Sequence, residues 1–306
     1  DIMIPTQKKR NHKHAYLAVF DNQKWVPICY GTQKGKVCYF NEIGKDIAYL
    51  PLYYDNQGIH PITDPFILDS RGRIKYLHAD TSKRKKVILS RKYYLAKHIF
   101  DYAKTLTGGH FEASNNPDFS DPDTIHTISH WLLSADSFEI KPQKTYRYWR
   151  YVSAKNKGCN LAELAFYSDK EEKELTGTII GTNASVRYDT MPMDKSKVFD
   201  KDILTYYEAP STVDYPWVGL DFNKPVSINK IIYTPRNDDN NIHAGDLYEL
   251  FYWEYNHWMS LGQQRAIESK LTYTNVPDNT LLLLKDLTKG EEERIFTYEN
   301  DKQVWW

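Results

Sequence analysis

The stretch Val198-Phe199-Asp200-Lys201-Asp202-Ile203-Leu204-Thr205-Tyr206-Tyr207 places two carboxylates two residues apart and a hydroxyl group three residues later. Oxygen atoms spaced in this way along a tight turn suit a hard cation such as calcium. The segment Trp217-Val218-Gly219-Leu220-Asp221-Phe222 follows and predicts a strand, and residues 228–234 predict another. A polar turn that leads into successive strands indicates a β fold for this part of the chain.

The same alternation of short strands and turns continues in both directions from this stretch. Segments rich in aromatic and β-branched residues are separated by turn-forming pairs such as Asp21-Asn22, Lys34-Gly35 and Gly44-Lys45. Strands are predicted at residues 15–20, 25–30, 37–40, 48–54, 110–114, 124–128, 137–140, 146–153, 161–168, 178–181, 217–222, 228–234, 248–255, 271–274, 281–284, 295–298 and 304–306. We therefore expect an all-β protein made of tandem antiparallel β-sandwich modules.

One amphipathic helix is predicted near residues 91–107. Its apolar positions recur at steps of three and four residues between Tyr94 and Leu106, and Gly108-Gly109 follow as a stop signal. Ser90 is the expected N-cap of this helix. We expect the apolar face to cover the sheet of its own module, with docking on a partner as the alternative.

Changes in composition along the chain predict its division into modules. Residues 1–14 are polar and basic and predict a tail or linker, and residues 15–82 predict a small antiparallel β-domain. The basic run Lys83-Arg84-Lys85-Lys86 begins a predicted β-sandwich at residues 83–170, which contains the helix. The charged run at residues 169–174 predicts a solvated linker to a last β-sandwich at residues 171–306.

Composition excludes some classes of protein. Among 306 residues, 40 Lys+Arg are balanced by 40 Asp+Glu, which removes the electrostatic argument for a nucleic-acid-binding protein. No apolar run reaches 18 residues, so no membrane span is expected. The 24 tyrosines and eight tryptophans favour β-structure and contact surfaces. The three cysteines form no CxxC pair and predict no zinc site, while a Cys29–Cys38 bridge and buried thiols both stay open.

The order of the elements from the Asp200 turn onward resembles the discoidin family, also called coagulation-factor type C domains, which includes the family 32 carbohydrate-binding modules. In that family an Asp-Gly-Asp-x-x-Thr-x-Trp loop precedes a Trp-Ile-x-Val-Asp-Leu strand, an Ile-x-x-Ile strand that leads to Arg, and a Tyr-x-Ile strand that closes at Trp. The matching residues here are Asp200, Asp202, Thr205, Trp217, Asp221, Ile228, Ile231, Arg236, Tyr248 and Trp258. Lys201 stands in the place of the glycine, and Tyr207 in the place of the loop tryptophan.

A more divergent resemblance to the same family precedes this region. The segment His110-Phe111-Glu112-Ala113-Ser114-Asn115-Asn116 is similar to the family's strand and Ser-Asn turn. The segments Tyr146-Arg147-Tyr148-Trp149-Arg150 and Leu161-Ala162-Glu163-Leu164-Ala165-Phe166-Tyr167 are similar to its last two strands, and a Glu is usual in the closing one. The resemblance therefore implies two jelly-roll, galactose-binding-like sandwiches.

The resemblance also implies a set of site residues. Loops at one end of the family fold bind sugars with an aromatic ring and with Arg, Asn and His side chains. The ligand-binding residues implied here are Tyr206, Tyr207, Arg236, Asn237, Asn241 and His243. Asp200, Asp202 and Thr205 are the implied ligands of a structural Ca²⁺. Two alternatives stay open: the Asn/Asp-rich loop forms turns only, and Arg236 braces the sandwich.

The function that the resemblance implies is a non-catalytic carbohydrate-binding or adhesion module of a secreted or cell-surface protein, with a glycan or glycoprotein as its partner. The arrangement is similar to the C-terminal accessory regions of large secreted bacterial proteins, which allows a catalytic domain upstream of Asp1. No catalytic motif is present in the sequence, so no enzyme is expected. The alternatives are a structural or spacer region of a larger secreted enzyme, without a ligand of its own, and a glycan-active hydrolase.

Overall fold

The computed structural model of the chain describes residues 2–3, 15–32, 36–37, 44–94, 97–141, 144–168, 171–184, 193–210, 212–290 and 294–306. Over these residues the protein has one α-helix, and every pairing between its strands is antiparallel. The predicted all-β fold class is confirmed. No helix in the described part of the chain is long and apolar enough to cross a membrane.

The strands are numbered in chain order. The first are β1 (Ile2–Met3), β2 (Ala15–Asp21), β3 (Lys24–Thr32), β4 (Lys36–Val37), β5 (Ile47–Asp55), β6 (Gly58–Pro61), β7 (Phe66–Leu68), β8 (Ile74–Tyr76) and β9 (Asp80–Leu89). Helix α1 (Lys97–Lys104) precedes β10 (His110–Ser114), β11 (Asp123–Thr127), β12 (Asp136–Glu139), β13 (Tyr146–Val152), β14 (Cys159–Ser168), β15 (Glu171–Leu175), β16 (Thr178–Gly181), β17 (Tyr207–Glu208), β18 (Trp217–Val226) and β19 (Lys230–Pro235). The last are β20 (Leu247–Glu254), β21 (His257–Arg265), β22 (Leu271–Asp278), β23 (Leu282–Asp286), β24 (Ile295–Glu299) and β25 (Lys302–Trp305).

These elements form two compact units. The first unit consists of Asp1–Tyr94 together with Asn241–Trp306, and the second unit consists of Leu95–Asn240. This division differs from the predicted modules at residues 15–82, 83–170 and 171–306. The reason is long-range strand pairing: β13 pairs with β18, β14 pairs with β19, and β9 pairs with β22. Each of these pairs joins strands that the sequence assigns to separate modules.

The second unit is a β-sandwich built from two sheets. One sheet has the order β11-β10-β13-β18-β16, and the other has the order β12-β19-β14-β15 with β17 paired to β14. Both sheets contribute side chains to one apolar core, which includes Phe111, Trp149, Leu161, Phe166, Val218, Leu220 and Ile231. Burial of these side chains between the sheets supplies the main driving force for folding of this unit.

Strand β13 shows why this sequence forms a central strand. It lies between β10 and β18, and its side chains alternate between the two faces of the sheet. Trp149 and Tyr151 enter the core, while Arg150 on the opposite face pairs with Glu112 of β10. The bulky residues on both faces of this segment are thus explained by its position inside a sandwich.

The first unit contains three sheets. Their strand orders are β1-β4-β3-β2-β5-β7-β8 with β6 paired to β5, β21-β20-β23-β24-β25, and β22-β9. The first two sheets share a core cluster rich in aromatic residues, which includes Trp25, Trp253, Trp258 and Trp306. Strands β24 and β25 form the hairpin predicted at the end of the chain, and Trp305 packs on Phe296 with ring centroids 4.8 Å apart.

The helix is shorter than predicted. It begins at Lys97 rather than near residue 91, because residues 91 and 92 take part in the first unit. Arg91 forms a β-bridge with Asn241, and Lys92 is buried in an ion pair with Asp286 at 3.4 Å. The buried positions of the helix and of the turn after it are Ile99, Ala103 and Leu106, and Leu106 belongs to the core of the second unit. The helix therefore covers its own module, as expected.

Two predicted linkers contain strands. Residues 171–175, which lie mostly within the charged run at residues 169–174, form β15, which pairs with β14 in a hairpin. At the amino terminus, Ile2–Met3 forms β1 and pairs with Lys36–Val37, so the predicted tail contributes to a sheet. The rest of the predicted tail, residues 4–14, lies outside the described residues.

Candidate functional site

The turn predicted to bind calcium forms a compact loop on the second unit. A 3-10 helix, Lys195–Phe199, begins at Asp194, whose carboxylate accepts a hydrogen bond from the backbone N–H of Ser196 at 2.8 Å. Val198 anchors this helix in the sandwich core. Lys201 then adopts a left-handed backbone with φ of 68°. The lysine thus takes a conformation that a glycine would reach at lower cost.

Hydrogen bonds within the loop bring together the three residues predicted as metal ligands. Both carboxylate oxygens of Asp200 accept from the Thr205 hydroxyl at 3.0 Å. Asp200 also accepts from the backbone N–H of Asp202 at 3.0 Å, and the Asp202 carbonyl lies 3.0 Å from the Thr205 hydroxyl. Burial disfavours the charged form of Asp200, but these hydrogen bonds and the ammonium of Lys197 lower its pKa. The loop therefore presents several oxygen atoms, and the carboxylate of Asp200 is held in its charged form.

Glu163 on β14 is a further acidic group of this loop, which the prediction of the metal site did not include. One of its carboxylate oxygens, Oε1, is buried and has no hydrogen-bond partner. Burial first, and the charge of Asp200 second, raise the pKa of Glu163 to about 7. The charge and the backbone N–H of Lys201 act in the opposite direction. The signal in the sequence was the glutamate that is usual in the closing strand of the family.

The loop carries oxygen atoms of the kind that calcium binds. Calcium prefers oxygen ligands, and a buried carboxylate oxygen without a partner costs free energy that a cation would offset. Glu163, Asp200 and Thr205 supply side-chain oxygens, and Asp202 supplies a carbonyl oxygen. No group of three or more His, Cys, Asp and Glu side chains able to hold a metal ion occurs in the described ranges.

Arg236, a predicted ligand-binding residue, lies in a closed cluster that we call the Arg236 bracket (Tyr102, Tyr206, Glu208 and Arg236). The guanidinium carbon lies 3.8 Å from the ring centroid of Tyr102 and 3.6 Å from that of Tyr206. Its Nη1 donates to Glu208 Oε2 at 3.2 Å. The side chains of Arg236 and Glu208 are 14% and 12% exposed, so this ion pair is largely shielded from water. The structure therefore favours the bracing role for Arg236.

Tyr207 lies in the core of the second unit rather than on its surface. Its side chain is fully buried, and its hydroxyl donates to the carbonyl of Thr182 at 2.8 Å. Burial raises the pKa of this phenol well above its usual value, so the hydroxyl stays protonated. Tyr206, the neighbouring residue, is half-buried and forms one wall of the Arg236 bracket. The structure thus gives Tyr207 no surface for a ligand.

The remaining predicted residues of the Asn-rich loop are assigned to both units. Asn237 belongs to the second unit and is 6% exposed; its amide oxygen accepts from the backbone N–H of Asp239 at 2.8 Å, a turn-forming contact. Asn241 and His243 belong to the first unit. Asn241 is 5% exposed and accepts from Arg91 at 3.0 Å. The turn-forming alternative thus describes Asn237 better than the ligand-binding one.

The cysteines show no feature of a reactive thiol in the part of the chain that can be assessed. Cys159 is fully buried and lies 3.4 Å from the carbonyl oxygen of Pro216. Burial raises the pKa of this thiol far above its usual value, which keeps it protonated at neutral pH. The predicted alternatives for Cys29 and Cys38 cannot be separated, because Cys38 lies outside the described residues.

Comparisons of the chain with models of protein families, with curated proteins and with solved structures found no match.

Proposed function

We propose that the chain is a non-catalytic carbohydrate-binding or adhesion module of a secreted or cell-surface protein, and that Ca²⁺ stabilises its second unit. The observation that carries this proposal is the buried, partnerless oxygen of Glu163 at the folded Asp200–Thr205 turn. This oxygen lies at the turn that the discoidin resemblance assigns to calcium. It therefore supports the resemblance by the chemistry of the side chains and not only by the order of the strands. The glycan-binding function follows from the same resemblance.

The charges around the loop support calcium as its ligand. The ammonium of Lys201 contacts Glu174, and Lys197 lies 3.2 Å from Asp200 Oδ2. Both lysines are therefore paired with carboxylates other than Glu163, whose Oε1 has no hydrogen-bond partner. A calcium ion would neutralise Glu163, would replace Lys197 as the partner of Asp200, and would hold the turn that leads to Tyr206. Its role there is structural, because it would fix a loop and would activate no nucleophile.

Binding of glycans by such a module depends on shape and on stacking. Each neutral hydrogen bond contributes only about 1 kcal/mol net, so that the affinity for a single sugar is low. An aromatic ring against the apolar face of a sugar adds contact area without charge. A chain with a formal net charge of +0 and 24 tyrosines suits this mode of recognition.

The second candidate function, a structural or spacer region of a larger secreted enzyme, is favoured by a specific observation. Tyr207 and Asn237 are buried and satisfied within the protein, and Arg236 is closed in its bracket. Residues that resemble a rim site therefore stabilise the sandwich. A spacer without a ligand would use them in the same way.

Calcium and glycan binding by the full chain test the proposal. We expect the melting temperature to rise when Ca²⁺ is added to chelator-treated protein, and Glu163→Gln to remove most of this rise. Glu268→Gln, an exposed position on the first unit, is the matched control and should leave the rise intact. A glycan array should then show weak, selective binding. Absence of both the calcium effect and glycan binding would leave the spacer function.

A further inference from the structure

An open cleft lies at one edge of the second unit, apart from the residues predicted to bind sugar. Its volume is about 440 Å³, and its lining comes from β11, β12, the start of β13 and Ile228. Strands β11 and β12 are the edge strands of the two sheets. The cleft is therefore the gap between the two layers of the sandwich. Its volume lies within the range of small-molecule sites.

One wall of the cleft is aromatic. The rings of His126 and Phe138 stack with centroids 4.0 Å apart and an interplanar angle of 17°. Phe138 packs in turn on the buried Phe111 with centroids 5.0 Å apart. Trp149 and Ile228, both buried, also line the cleft. Burial lowers the pKa of His126, so the imidazole is neutral at pH 7. This wall offers an uncharged flat surface to a ligand.

The polar groups of the cleft form a cluster that water can reach. Asp123 accepts hydrogen bonds from the Tyr146 hydroxyl and, at 2.9 Å, from the Lys144 ammonium. The side chains of Lys144 and Asp123 are 67% and 47% exposed. The hydrogen bond from Tyr146 first, and the one from Lys144 second, lower the pKa of Asp123. Carboxylate, ammonium and hydroxyl are therefore available together at neutral pH as acceptor and donors.

The cleft carries no excess of charge. Its lining has two carboxylates, Asp123 and Glu139, and two ammonium groups, Lys141 and Lys144. Equal numbers of opposite charges give no electrostatic preference for a phosphate, a sulfate or a cation. Mixed donors and acceptors beside an aromatic surface instead suit a ligand with hydroxyl groups and an apolar face.

We propose that this cleft binds a neutral, hydroxyl-rich ligand, namely a terminal residue or disaccharide of an uncharged glycan. This assignment rests on the proposed function and moves its binding site from the Arg236 bracket to the gap between β11 and β12. The ring pair of His126 and Phe138 contacts the apolar face of the sugar. Asp123, Lys144 and Tyr146 exchange the hydrogen bonds among themselves for bonds to the sugar hydroxyls.

Two conservative variants of the cleft test the proposal on the full chain. Tyr146→Phe removes only the hydroxyl and keeps the ring, and Lys144→Gln removes the charge at an exposed position. Tyr255→Phe, at an exposed tyrosine of the first unit, and Lys302→Gln are the matched controls. Binding is measured by calorimetry with the neutral saccharide that gives the strongest signal on an array of neutral, sialylated and sulfated glycans.

We expect each cleft variant to weaken binding of the neutral saccharide about tenfold. This change in affinity corresponds to the loss of one hydrogen bond to a charged or desolvated group. The controls should keep the affinity of the unaltered chain, and all four variants should keep its melting temperature. Side-chain NMR signals of His126 and Trp149 should shift on addition of the saccharide.

The other outcomes separate the cleft from the general function. Neutral glycan binding that is unchanged in Tyr146→Phe and Lys144→Gln would overturn the cleft assignment and leave the carbohydrate-binding function in place. Binding only of sialylated or sulfated glycans would overturn the neutral-ligand assignment. If no glycan on the array binds and free hexoses shift neither NMR signal, both the cleft assignment and the carbohydrate-binding function are overturned.

Discussion

The Arg236 bracket and the cleft between β11 and β12 use the same chemical groups in opposite ways. In the bracket, two tyrosine rings lie 3.8 and 3.6 Å from the guanidinium of Arg236, and the side chains of its ion pair with Glu208 are 14% and 12% exposed. In the cleft, the ion pair of Lys144 and Asp123 is 67% and 47% exposed beside a stacked ring pair. Exposure, and not the types of residue, therefore separates a group that stabilises the sandwich from one that a ligand can reach.

A second bracket in the same unit supports the structural role of the first. Arg150 lies 3.8 Å from the ring centroid of Phe119 and 4.9 Å from that of Trp217. It pairs with Glu112 at 2.6 Å, and the two side chains are 15% and 10% exposed. An arginine between two rings and a shielded glutamate thus occurs twice in one sandwich. The repetition indicates that this arrangement stabilises the sandwich and is not a binding site for one particular ligand.

The largest effect on stability is expected from a substitution that breaks the Arg236 bracket. Arg236→Ala should lower the free energy of unfolding by about 3 kcal/mol, because Glu208 would keep a buried charge without its partner. Urea denaturation of the full chain measures this change. Binding at the cleft should be unchanged under conditions in which the variant is folded.

The control for this variant is the corresponding change in the cleft. Lys144→Gln removes one half of an exposed ion pair and should leave the urea midpoint unaltered. Equal destabilisation by the two substitutions would contradict the contrast drawn between the bracket and the cleft.

We expect Glu163, beside the loop that leads to Tyr206, to make the free energy of unfolding depend on pH. The size of this effect is intermediate. Burial raises the pKa of Glu163 to about 7 in the folded chain, from its ordinary value of 4.5. The folded state therefore binds more protons than the unfolded state between these values, and stability falls as the pH rises from 5 to 7. Because Glu163 is only partly buried, we expect a loss of about 1–2 kcal/mol in calcium-free protein.

Chemical denaturation at several pH values, with chelator present, measures this loss. Glu163→Gln should flatten the pH dependence, and calcium should do the same in the unaltered chain, since both remove the cost of the unpaired charge. A slope that persists in Glu163→Gln would assign the effect to another group. The affinity of the cleft for the saccharide should change neither when calcium is added nor in Glu163→Gln. This result would show that the cleft acts independently of the Asp200 loop.

The sequence predicted the loop better than it predicted the unit that contains it. The Asp200 turn is made by contacts between residues two to five positions apart, such as Asp200 with Asp202 and with Thr205. Such local hydrogen bonds follow directly from residue type and spacing. Strand alternation is equally local, which is why the all-β class could be predicted.

The partners of the strands could not be predicted in this way. Pairing of β13 with β18 joins residues about seventy positions apart, and nothing in either strand specifies the other. The cleft was missed for the same reason. Asp123, Phe138 and Tyr146 come from three different strands, and none of them belongs to a motif. In the Asn-rich loop, composition alone left binding and turn formation both open, and the turn that Asn237 forms with Asp239 favours the second.

A smaller effect on stability is expected for a substitution of Tyr207, which lies in the core. Tyr207→Phe should lower the free energy of unfolding by about 1 kcal/mol, because the buried carbonyl of Thr182 loses its hydrogen bond. Thermal denaturation measures this change, and saccharide binding should not respond. Tyr207→Phe is the buried counterpart of Tyr146→Phe in the cleft, for which we expect the reverse: weaker binding without a loss of stability. If Tyr207→Phe weakened saccharide binding instead, Tyr207 would take part in binding, and the prediction that it acts only in the core would be wrong.

The smallest expected effect concerns Lys201, whose left-handed backbone has a φ of 68°. A residue with a Cβ atom adopts this conformation at a cost of about 1–2 kcal/mol, whereas glycine adopts it freely. Glycine also loses more chain entropy on folding, which offsets about 0.5–1 kcal/mol of that gain. Lys201→Gly should therefore raise the free energy of unfolding by about 0.5 kcal/mol. Lys302→Gly, in a strand of the first unit, is the control and should destabilise the chain. If Lys201→Gly also lowered the urea midpoint, the pairing of Lys201 with Glu174 would outweigh the backbone strain, and the loop would depend on that ion pair more than on its turn.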